Sequence, residues 1–74
     1  MTTQDEVRKN VINILRMRGS LTFDELRMAL EDMGIYIDGR ILRSIVASLI
    51  RAGLVTKIPD SSRRKFLLKL SVSP

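Results

Sequence analysis

The sequence predicts an α+β fold, mostly helical, in which three helices are followed by a C-terminal β-hairpin. Apolar residues recur at helical spacing in three successive segments. Gly19, Gly34 and Gly53 punctuate the ends of those segments. Beyond Gly53 the apolar period falls to two, and a polar loop divides two short runs. The chain has 74 residues, the size of one domain.

The first helix is expected over residues 4–18. Val7, Val11, Ile14 and Leu15 share one of its faces, and Arg16 and Arg18 place positive charge at its negative C-terminal end. Ser20-Leu21-Thr22 is a short extended piece. Thr22-Phe23-Asp24-Glu25 then has the form of a capping box, in which Thr22 caps the backbone and Glu25 reaches back. The helix it opens, residues 23–33, carries the stripe Leu26, Ala29, Leu30 and Met33. After Gly34-Ile35-Tyr36-Ile37, Asp38 is a candidate N-cap for a third helix over 39–52. Half of that helix is apolar (Ile41, Leu42, Ile45, Val46, Leu49, Ile50); the other half holds Arg40, Arg43, Ser44, Ala47, Ser48 and Arg51. Residues 54–58 and 65–70 read as two strands around Pro59-Asp60-Ser61-Ser62-Arg63-Arg64, with Phe66, Leu68 and Leu70 on one strand face. Residues 71–74 are expected to fray. Tyr36 is expected to pack its ring on the core in preference to meeting a phosphate, and Met17, Met28 and Met33 to serve packing.

Composition narrows the function classes. The chain has neither cysteine nor histidine, so disulfides, thiolate metal sites, the commonest zinc ligand and the commonest general base are all missing. The serines lack a histidine to activate them. Asp24-Glu25 and Glu31-Asp32 are sequence neighbours, which diverge on a helix and do not converge as a catalytic pair. No glycine-rich phosphate loop exists. The expectation is therefore no enzyme, no cofactor, no metal and no small-molecule ligand. No apolar run approaches the roughly 18 residues of a membrane span, and the polar, acidic opening is unlike a secretory leader, so an intracellular setting is expected.

Charge is distributed unevenly. The net charge is +5, yet residues 1–38 carry five Lys/Arg against seven Asp/Glu, whereas residues 39–74 carry eight against Asp60 alone. A basic second half fits a polyanionic partner. A solubilising surface would more often mix signs than leave the third helix without an acid past Asp38.

Helix, extended piece, helix, tight turn, helix and hairpin in this order resemble the winged-helix variant of the helix-turn-helix fold, over residues 4–70. The sharpest local likeness is Leu49-Ile50-Arg51-Ala52-Gly53-Leu54-Val55, where the recognition helix runs through Gly-Leu-Val into the wing. Ile50 departs from the pattern, standing where a polar residue is frequent. The resemblance implies double-stranded DNA as partner, with helix 39–52 in the major groove. Arg40, Arg43, Ser44 and Ala47 are then the base-reading candidates, since arginine forks onto guanine, serine bonds several bases and alanine admits close approach or a thymine methyl. Arg51, Lys57, Arg63, Arg64 and Lys65 are the candidates for phosphate and wing contacts. Transcription regulation is the leading reading. A protein-interaction module and a non-specific nucleic-acid coat are the alternatives, because fold alone does not decide among them. Ile12, Met17, Met28 and Leu67 look surplus to a small core and point to a homodimer. With no length after Leu70 for a terminal dimerisation helix, that dimer is expected to use another surface.

Overall fold

The computed structural model describes residues 3–62 and 64–71. In chain order the elements are α1 (Gln4–Arg18), β1 (Ser20–Thr22), α2 (Phe23–Asp32), α3 (Gly39–Arg51), β2 (Val55–Asp60) and β3 (Lys65–Leu70). The helices pack against one another and against one face of a small antiparallel sheet of order β1-β3-β2.

Each helix begins where a short polar side chain can take up orphaned backbone N–H groups. The Thr3 side chain accepts from the Glu6 N–H at the start of α1. At α2 the capping box is complete: the Glu25 N–H donates to Thr22 Oγ1 (3.2 Å), and the Thr22 N–H donates to Glu25 Oε1 (3.0 Å). Asp38 caps α3 by accepting from the Arg40 N–H at 2.7 Å. Two of the helix ends share one device. The Gly34 N–H donates to the Glu31 carbonyl and the Ile35 N–H to the Leu30 carbonyl, a Schellman pair. Gly53 and Leu54 repeat it on the carbonyls of Ile50 and Leu49. The device needs a left-handed residue, and Gly34 and Gly53 supply it at φ of +84° and +81°.

The core is aliphatic. Val7, Val11, Ile14 and Leu15 of α1 meet Leu26, Ala29 and Leu30 of α2 and Leu42, Ile45, Val46 and Leu49 of α3, with Leu21, Val55 and Leu68 closing it from the sheet. Ile12, expected to be surplus, is half-buried against this core, as are Ile35, Ile37 and Ile50. Other apolar side chains stay outside. Tyr36 is 78% exposed, which overturns its expected place in the core. Ile35 and Ile37 on either side turn inward and leave the ring between them facing water. Met17, Met28 and Met33 are exposed as well, so they do not serve packing. Met33 is the C-cap of α2, where the helix has ended and the stripe no longer governs direction.

The sheet has three strands where a two-stranded hairpin was expected. Ser20, Leu21 and Thr22 pair with Lys69, Leu68 and Leu67, which makes β3 the central strand. β2 continues through Pro59 and Asp60, opposite Phe66 and Lys65. A proline is tolerated there because β2 is an edge strand and needs no donor on its open side. Ser71 is tied back, its N–H donating to the Leu54 carbonyl (3.0 Å) and its hydroxyl to the Gly53 carbonyl. The rest of the tail, residues 72–74, lies outside the described residues. Among the described residues no helix is long and apolar enough to cross a membrane.

Candidate nucleic-acid interface

α3 is the most sharply divided helix of the chain. Leu42, Ile45, Val46 and Leu49 are buried, and Arg40, Arg43, Ser44, Ala47 and Arg51 are exposed on the opposite side. The segregation follows from sequence spacing, because the outward set recurs at intervals of three and four. No acidic residue lies in its first turn, and Arg51 stands in its last. Ser48, on the edge of this face, returns its hydroxyl to the Ile45 carbonyl at 2.8 Å, whereas Ser44 stands exposed.

The hairpin of β2 and β3 stands beside that face. At its tip Asp60 accepts from both the N–H and the hydroxyl of Ser62, at 3.2 and 2.7 Å. Arg64 follows at φ +55°. A left-handed backbone costs a side chain bearing Cβ about 1–2 kcal/mol, so glycine would fit here with less strain. The tip thus presents a cation at a position where conformational preference alone does not favour one. Arg64 and Lys65 are exposed. Arg63, the third basic candidate of this loop, lies outside the described residues.

Between helix and hairpin lies an open groove of about 450 Å³. Arg43 and Ala47 of α3 line one wall, Lys57, Lys65 and Phe66 the other, and Phe23 and Asp24 close one end. No such concavity is legible in the sequence, because its lining comes from four separate stretches of chain, within residues 22–24, 43–50, 57 and 65–68. Four of the expected site residues thus meet: Arg43, Ala47, Lys57 and Lys65. Arg40, Ser44, Arg51 and Arg64 do not line the groove, although all are exposed.

The two phenylalanines were not foreseen as site residues. The Arg43 guanidinium lies 5.3 Å from the Phe23 ring centroid, and Lys57 Nζ lies 4.1 Å from that of Phe66. Phe66 is half exposed, although it shares a strand face with buried Leu68, because that face runs past the end of the core. A signal was present: Phe23 and Phe66 are two of only three aromatic residues in the chain, and Phe66 directly follows Arg-Arg-Lys. Among the described residues no group of three or more acidic side chains is placed to hold a metal ion.

No protein-family model matches the chain, and no curated protein matches it. Solved structures do. The chain is similar to MarR of Escherichia coli (24% identity, TM-score 0.75), covering 88% of this chain and 45% of that one. It is similar to the ferric uptake regulator of Vibrio cholerae, a protein with DNA-binding domains, at 21% identity and TM-score 0.79, covering 99% of this chain and 55% of that one. The ferric uptake regulator of Pseudomonas aeruginosa with manganese is similar at 16% identity and TM-score 0.76, covering 99% and 53%. The fold is a winged helix. The chain spans about half the length of these solved proteins. In winged-helix terms α2 and α3 are the helix-turn-helix, α3 stands in the position of the recognition helix, and β2 and β3 form the wing.

Proposed function

We propose that this winged helix binds double-stranded DNA and regulates transcription by occupying its site, acting inside the cell as a binding protein and not as an enzyme. The observation that carries the reading is the exposed cationic face of α3 standing beside a basic wing, across an open groove. With α3 in the major groove, Arg40, Arg43, Ser44 and Ala47 meet base edges. Arg51, Lys57, Arg64 and Lys65 fall to the flanking phosphates, together with Arg63. The test is fluorescence anisotropy of a random-sequence duplex titrated with protein over a salt series. A log–log slope of about −4 to −6 corresponds to roughly five to seven phosphate contacts and supports the reading. No binding at low salt overturns it.

A second reading, a protein-interaction module, draws on the exposed Met17, Met28, Met33 and Tyr36. These side chains also support a proposed homodimer, which would place two copies of α3 on half-sites about one DNA turn apart. Sedimentation equilibrium decides the oligomeric state. Arg40→Ala combined with Arg43→Ala separates the two functions, since only the DNA reading requires a large loss of duplex affinity.

A further inference from the structure

Base reading by an arginine needs the guanidinium in one place before the DNA arrives. Arginine is rich in rotamers, and each one frozen on binding subtracts from affinity. Arg43 is exposed, yet it is not left to wander, because its guanidinium lies over the ring of Phe23. Phe23 is itself fixed. It is the first residue of α2, follows the capping threonine, and is half-buried against the core. A ring contact consumes no hydrogen-bond donor, so the guanidinium keeps all its N–H groups for a base edge.

We propose that Phe23 is a positioning residue for sequence discrimination: its ring holds Arg43 where the guanidinium forks onto a base, and so sets the selectivity at that base pair. The inference rests on the duplex-binding reading above. The wing carries a counterpart in Lys57 over Phe66, on the far wall of the same groove. Lysine is a point charge without a planar fork and suits phosphate. Phe66 therefore bears on general affinity and Phe23 on selectivity. A leucine at either position keeps apolar bulk and removes the ring, which separates positioning from packing.

The experiment compares the native chain, Phe23→Leu, Phe23→Trp and Phe66→Leu, and repeats Phe23→Leu in an Arg43→Ala background. Anisotropy measures binding to a duplex selected by the native protein from a random library and to a random duplex. NMR follows the Arg43 side-chain protons in the free protein. The native chain should show Arg43 Hδ protons shifted upfield by the ring, a shift that Phe23→Leu abolishes. Phe23→Leu should lower the ratio of selected to random affinity about two- to five-fold, the worth of one exposed cation–ring contact, with an unchanged salt slope. Phe23→Trp should restore the ratio, Phe66→Leu should weaken both duplexes alike, and Phe23→Leu should change nothing further once Arg43 is alanine. Phe23→Met carries the same comparison if the leucine variant does not fold. An unchanged ratio in Phe23→Leu, or an equal loss in the Arg43→Ala background, overturns the positioning role. A native chain that binds duplex but enriches no sequence also overturns it, and one that binds no duplex overturns the reading on which it rests.

Discussion

Leu49 and Arg51 stand two residues apart on α3 and face opposite worlds, one inside the core and one in water. Substitutions there should separate stability from binding. Leu49→Ala leaves a cavity under three packed helices and should cost about 2–5 kcal/mol of stability in urea denaturation. Arg40→Ala removes no core contact. It should leave the urea midpoint in place while costing about 1–3 kcal/mol of duplex affinity and relaxing preference at one base pair. Arg64→Ala at the wing tip should weaken every duplex alike and lower the salt slope by about one. At this scale the sequence shows the inward and outward halves of a helix plainly, because both follow one period. It shows less where the period stops. Tyr36 and Met33 lie just beyond the regular part of α2, and their exposure is decided by the Gly34 turn and by the inward course of Ile35 and Ile37. The pairing of Phe23 with Arg43 joins α2 to α3 at one end of the groove, and no local pattern encodes it.

Helix ends carry much of the specification of this fold. α2 is opened by reciprocal hydrogen bonds between Thr22 and Glu25, and Thr22 is itself buried. Thr22→Ala should therefore destabilise the fold by about 0.5–2 kcal/mol, read from the urea midpoint. At the other end of the helix-turn-helix, Gly53 lets α3 stop and β2 begin. Its φ of +81° is unfavourable for any residue with a Cβ, although nothing else lies within 4 Å of the position. Gly53→Ala should thus cost about 1–2 kcal/mol through backbone strain alone, with no steric clash to relieve. Caps of this kind lie within a few residues of one another and are legible in the sequence for that reason. β1 is not. Three residues, Ser-Leu-Thr, make too short a run to announce a strand, and they become one only because β3 arrives beside them from the far part of the chain. β2 likewise extends past Pro59, since its position at the sheet edge removes the usual objection to proline.

Over the whole molecule, the acidic excess of the first half sits in α2, with Asp24, Glu25, Glu31 and Asp32 against Arg27, and at Asp38, whereas the larger basic excess belongs to the stretch that forms α3 and the wing. The molecule is thereby polarised, and a duplex should be steered toward α3 and the hairpin in an orientation that added salt weakens. The same division has a consequence in time. The helices and the β2–β3 hairpin are closed by contacts between near neighbours, which form quickly. The pairing of β1 with β3, Ser20 with Lys69, Leu21 with Leu68 and Thr22 with Leu67, closes a loop that contains α2, α3 and β2, so it carries a larger entropic cost than the pairs of β2 with β3. Leu21→Ala should accordingly speed unfolding in stopped-flow experiments far more than it slows refolding, the behaviour of a contact made after the barrier. The junction of β1 with the central strand is then the last part to lock, and a nascent chain remains without a finished sheet until its residues 65–70 have left the ribosome and returned to residues 20–22.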